Sequence, residues 1–98
     1  MNAVERRARK QAAKDADEFW ENHDWEDILD RYAVTSNQAD KELKKLERKE
    51  SWGFTISEED YEDYYYYIRY SELLALWMAN TQLTHNGYKR DEDGLWTY

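Results

Sequence analysis

Apolar residues return every three to four positions through most of this chain, which is the spacing of helices packed on one face. From Ala3 to Asn22, Val4, Ala8, Ala12, Ala16 and Phe19 form one narrow stripe in an Ala-, Arg-, Lys- and Gln-rich background, and this predicts a first helix. Trp25, Ile28, Leu29 and Tyr32 share one face of a second segment. Asp24 is placed as its N-cap and Asp27 at the third helical position. The pattern leaves open whether this segment continues the first helix or starts anew after Asn22-His23.

A third helix is expected to begin near Thr35, where Thr35 to Gln38 has capping-box spacing, and to bury Ala39, Leu43 and Leu46 before Gly53. Trp52, Phe54 and Ile56 are too apolar for a free connection and are expected to cover the core. The fourth helix starts at Ser57, with Asp60 at its third position and Glu58 to Asp60 suiting the helix dipole. Tyr66, Tyr70, Leu73 and Trp77 form one stripe on it; Tyr61, Tyr65, Ile68, Ala75, Ala79 and Leu83 form a neighbouring one. Coverage that broad marks a central helix. Gly87 to Tyr98 reads as a short hairpin closed by Gly94, with Trp96 or Tyr98 packing on the helices. The expected fold is mainly α: a small bundle of three to four helices with a short C-terminal β-hairpin, one domain over residues 1–98.

Composition narrows the function. A charged fraction of 37% leans toward disorder, but five Trp, nine Tyr and two Phe supply a core. There is no cysteine, hence no disulfide or thiolate site. No apolar stretch approaches the ~20 residues of a membrane span, and the charged N-terminus has no apolar segment behind it as a secretory signal would. A soluble cytoplasmic protein with no membrane partner is expected. The net charge of −8 is uneven: residues 1–14 carry +4, 15–32 carry −7, 33–50 carry +1 and 51–63 carry −5. That sign disfavours direct nucleic-acid binding by the whole domain and favours a partner protein with a basic surface. The first 14 residues dissent, and cations in the opening turns oppose the helix dipole, so that end is expected to fray.

Catalytic and metal chemistry find little to stand on. His23 and His85 are the only histidines, so no zinc ligand set forms. Asp91-Glu92-Asp93-Gly94 fails as a calcium loop, because Lys89 falls at the first ligand position and the chain ends before the twelfth. No phosphate loop, nucleophile elbow or Cys/His pair appears. No enzymatic activity, metal or cofactor is expected.

The positive signals are charge and tyrosine. Asp17, Glu21 and Asp24 are spaced to share a helix face, as are Glu26 with Asp30, Glu58 with Glu62, and Glu59 with Asp63. Four consecutive tyrosines, Tyr64 to Tyr67, point all round a helix, so one or two must face outward, and tyrosine suits interfaces. The expected partner-binding residues are Asp24, Glu26, Asp27, Asp30, Glu58, Glu59, Glu62, Asp63, Tyr64 and Tyr67. A second candidate is nucleic-acid binding through Arg6, Arg7, Arg9 and Lys10. Glu5-Arg6-Arg7-Ala8-Arg9-Lys10-Gln11-Ala12 resembles the arginine-rich RNA-binding peptide of lambdoid N antitermination proteins, which implies a helix docked on hairpin RNA. The rest of the chain, acidic and aromatic, departs from that family.

In overall character the chain resembles the small acidic inhibitors that phages and mobile elements direct at host enzymes: anti-CRISPR, anti-restriction and anti-nuclease proteins. The resemblance implies a non-enzymatic inhibitor, in the extreme a DNA mimic, occupying a basic and nucleic-acid-binding surface of a host protein. The alternatives are an assembly subunit or chaperone that self-associates through Leu43, Leu46 and the Trp77 face, or an RNA-binding adaptor. The sequence leaves oligomeric state open.

Overall fold

The computed structural model describes residues 2–85, 87, 89–90, 92–93 and 95–97, with the backbone alone at 82–85, 89–90 and 96. Three helices account for nearly all of it: α1 (Ala3–Asn22), α2 (Trp25–Ser51) and α3 (Glu58–His85). Arg7 meets Glu62, Asp15 meets Tyr66 and Trp20 meets Trp77, in rising order, so α1 runs parallel to α3. Ile28 shares the core with Leu74, whereas Lys45 and Lys49 reach Asp60, so α2 runs antiparallel. The path is up, down, up, with α3 packed against both neighbours and little contact between α1 and α2. A radius of gyration of 16.2 Å exceeds the ~13 Å of a compact chain this long. The molecule is elongated, 52 × 30 × 22 Å.

The α1 stripe is where the sequence puts it. Ala8, Ala12 and Ala16 are buried to 1% exposure or less, and their short side chains let α1 approach α3 closely. The turns expected to fray are helical from Ala3, because Asn2 caps Glu5 N–H at 2.8 Å and Arg7 pairs with Glu62. His23 and Asp24 are both extended and make the corner into α2, where Asp24 accepts from Asp27 N–H at 3.0 Å. The second segment is therefore a new helix.

No break follows at Thr35. The expected second and third helices are one, Trp25–Ser51, so the bundle has three helices and not four. Nothing between Tyr32 and Thr35 interrupts the backbone, and the Thr35 hydroxyl donates back to the carbonyls of Arg31 (2.9 Å) and Tyr32 (3.2 Å) instead of capping. Helix α2 ends in a Schellman motif: Phe54 N–H bonds Lys49 O at 2.9 Å and Gly53 N–H bonds Glu50 O at 3.2 Å, with Gly53 at φ 75°. This turn holds the backbone but leaves Trp52 69% and Phe54 61% exposed, so neither covers the core as expected. Ser57 and Asp60 cap α3 reciprocally, each side-chain oxygen 3.2 Å from the other's N–H.

Tyr70, Leu73 and Leu74 enter the core, with Tyr66 and Trp77 packed against it. The neighbouring stripe is only partly covered: Tyr65, Ile68 and Ala75 are half-buried, Tyr61 is 40% exposed, and Leu76 on the same outer side is 50% exposed. At the C-terminus, Lys89–Arg90 and Trp96–Thr97 form an antiparallel ladder of two residue pairs. This falls short of the hairpin expected over 87–98; Gly94, Tyr98 and the side chains of Leu83 and Trp96 lie outside the described residues.

Candidate partner-binding surface

The corner between α1 and α2 gathers the acidic residues of 15–32. Glu18 and Glu21 lie in the last turns of α1, where the dipole disfavours negative charge, and Glu26 and Asp27 in the first turn of α2, where it favours it. Asn22 Nδ2 donates to Glu18 O at 2.7 Å, and His23 Nδ1 bonds Phe19 O at 3.0 Å, which requires its proton on Nδ1. The His23 ring also stacks on Phe19 at 3.8 Å, and the Arg31 guanidinium lies 4.4 Å from the same ring. Phe19 is thus held between a histidine and an arginine, fixing the corner without covering it.

Asp17, Glu18, Glu21, Asp24, Glu26, Asp27 and Asp30 are all exposed, and none forms an ion pair among the described residues. Trp25 (41% exposed) and Leu29 (44%) stand among them, one helical turn apart. Both were expected to share one face with Ile28 and Tyr32. Ile28 alone of that face is buried, because α2 turns a narrow stripe of Ile28, Thr35, Ala39 and Leu46 toward its neighbours.

The acidic run at the start of α3 behaves differently. Asp60 is buried and bonded by Lys49 (2.6 Å), Lys45 (2.9 Å) and Ser57 N–H, which hold its carboxyl far below the usual carboxylate range. Glu62 takes both Arg7 nitrogens at 2.9 and 3.0 Å, and that contact lowers its pKa. Asp63 is half-buried and raised, by burial first and then by Glu42 and Glu59. Only Glu58 and Glu59 remain exposed. The expected site is therefore split. Ile28, beside the first cluster, and Lys45, bonded into the second, are seventeen residues apart on α2. That is about 25 Å at a rise of about 1.5 Å per residue.

The tyrosine run is chained ring to ring rather than displayed. Tyr66 donates to Asp15 at 2.5 Å and meets Tyr67 edge-on at 5.1 Å; Tyr64 tilts on Tyr65, which stacks on Tyr61. Tyr64 and Tyr67 are half-buried, and burial raises the Tyr64 hydroxyl pKa. Tyr61 is the exposed member. Of the basic candidates, Arg7 is engaged by Glu62 and Arg9 lies 3.7 Å from Glu5, while Arg6 and Lys10 are exposed. The Leu43, Leu46 and Trp77 face is not available as a unit: Leu46 is buried and Trp77 packs on Trp20.

Trp25, Leu29, Leu43, Trp52 and Phe54 are the exposed large apolar residues that sequence reasoning placed on a packed face or over the core. The signal for Trp25 is local, since Asp24 and Glu26 flank it; none marks Leu29, because buried Ile28 also has one carboxylate neighbour. Among the described residues, no group of three or more His, Asp or Glu side chains is placed to hold a metal ion, and no helix is long and apolar enough to cross a membrane. No protein-family model, curated protein or solved structure matches the chain.

Proposed function

We propose that this chain is a non-catalytic binding protein whose α1–α2 corner occupies a basic surface of a partner protein. The observation that carries this reading is the coincidence of seven exposed, unpaired carboxylates with exposed Trp25 and Leu29. Uncompensated charge of one sign raises encounter rates with an oppositely charged surface, and a large ring at its centre supplies the anchor. The acidic run at 58–63 is mostly engaged in holding α3 to its neighbours, so Glu58 and Glu59 are at most peripheral. Nucleic-acid-binding proteins carry extended basic surfaces, and covering one would inhibit them. In that form the chain acts as a cytoplasmic inhibitor, of the kind mobile elements aim at host nucleases.

The test is capture by the tagged chain from nuclease-treated lysate, beside the D24N/E26Q/D27N/D30N variant. A basic nucleic-acid-binding protein held by the wild type after nuclease treatment and lost by the variant supports the reading. Equal capture by both, or loss of all prey on nuclease treatment, overturns it.

A further inference from the structure

Charge is segregated along the face of α2 that points away from α3. Glu26, Asp30, Val34, Asn37, Lys41, Lys44 and Arg48 succeed one another at steps of three or four and so share one helical face. All seven are exposed, and Val34 is 61% exposed. The N-terminal half of this face is acidic and the C-terminal half basic. Lys45 and Lys49, the cations of the same region that point inward, are taken by Asp60, whereas Lys41, Lys44 and Arg48 make no ion pair among the described residues. Each half also has an apolar element. Trp52 joins Lys41, Lys44, Glu47, Arg48 and Ser51 around one groove, and Phe19, His23, Asp27, Asp30, Arg31 and Val34 line another.

Such a stripe is complementary to itself in one closed arrangement. Placed antiparallel on its own copy, with a two-fold axis at Asn37, Glu26 falls opposite Arg48 and Asp30 opposite Lys44. Trp52 falls at the α1–α2 corner, beside the groove of Phe19, His23 and Val34. A parallel arrangement in register would set like charges against each other, and a staggered one would not close. We propose that a second copy of this chain covers this face, as an antiparallel, two-fold symmetric α2–α2 dimer. Two-fold contacts of this isologous kind are the commonest in soluble oligomers. The dimer leaves Trp25 and Leu29 outward, because they lie on a different face of α2 from Asp30 and Val34, but it takes Glu26 and Asp30 into its own interface, so a dimer offers a partner Trp25, Leu29 and the remaining carboxylates of the corner.

The absence of cysteine makes the geometry directly testable in the full chain. Asn37→Cys puts one thiol per chain on the axis, where two copies come within the roughly 4.4–6.8 Å Cα separation a disulfide needs. Glu26→Cys and Arg48→Cys sit far from their own symmetry mates but close to each other. Under mild oxidant, N37C alone should cross-link at least tenfold faster than E26C alone or R48C alone, and a mixture of E26C with R48C should give the mixed dimer. Sedimentation of E26K/D30K and K44E/R48E provides a second arm: each alone should be monomeric at concentrations where the wild type dimerises, and mixing them should restore dimers. Equal cross-linking of all three single variants, or a wild type that stays monomeric at millimolar concentration, overturns the proposal. Binding of a labelled single-stranded oligonucleotide that K44E/R48E abolishes, without N37C cross-linking, assigns the basic half to nucleic acid instead and also overturns it.

Discussion

Leu74 and Leu76 are two residues apart on α3, yet Leu74 is fully buried and Leu76 is 50% exposed. Replacing each in turn by alanine applies the same chemistry and the same small helix-propensity gain, about 0.2 kcal/mol, so the difference isolates packing. Leu74 belongs to the cluster of Ala12 and Ala16 from α1, Ile28 from α2, and Tyr70 and Leu73 from α3. The alanines have no side chain that can swing into the vacated space, so the cavity persists. The cost of Leu74→Ala therefore includes the cavity as well as the lost burial, about 3–4 kcal/mol. Unfolding entropy of about 2.1 cal/mol/K per residue over this length converts 3 kcal/mol into a Tm drop of about 15 °C. Leu76→Ala removes a side chain already half in water and should cost less than about 1 kcal/mol. Urea and thermal unfolding at pH 7, followed by far-UV circular dichroism, read both. Equal losses would refute the stated rotation of α3, or show that Leu76 is covered in solution.

The remaining expectations concern polar contacts. Tyr66→Phe removes the donor to the Asp15 carboxylate and should cost about 1 kcal/mol by denaturant titration, while Tyr67→Phe, with no such contact among the described residues, should be near neutral. Burial, Glu42 and Glu59 raise Asp63, so the folded state holds its proton more tightly than the unfolded chain and stability from this group falls as pH rises past the ordinary carboxylate range near 4. Asp63→Asn should therefore be more stable than the wild type at pH 7 and equal to it in acid. Asp60 has the opposite sign: Lys49, Lys45 and Ser57 lower it, so its contribution is fully present above about pH 4 and is lost as pH falls through its folded value. Asp60→Asn should be destabilised at pH 7, with the gap to the wild type closing in strong acid; a gap independent of pH would contradict the ion network.

Capping chemistry and periodic stripes were the legible part of the fold. Asp24, Ser57 and the alanine stripe of α1 each act through contacts within a few residues or through one repeated spacing, and both survive folding. Thr35 misled because a threonine hydroxyl finds a carbonyl inside a helix as readily as an N–H at its start, and burial decided between them. Helix rotation was not legible. On α2 and α3 apolar residues cover more of the surface than two neighbours can bury, so which stripe faces in depends on the partner helices. Trp25 and Leu29 turned out while Ile28 turned in, and Tyr61 turned out while Tyr66 and Tyr70 turned in. The same gap hid the difference between two equally acidic runs. Lys45, Lys49 and Arg7 are distant in sequence from Asp60 and Glu62, and only the folded arrangement shows that they neutralise one run and leave the other bare.

The association kinetics of the captured partner, followed across salt concentration, test the central claim most directly. Against wild type, D24N/E26Q/D27N/D30N should lower the association rate and flatten its salt dependence, while Trp25→Ala should leave the association rate nearly unchanged and speed dissociation. Charge and ring would then be acting as steering and anchor at one corner. Association that responds to neither variant, or that responds equally to E58Q/E59Q at the far end of the bundle, would contradict the account.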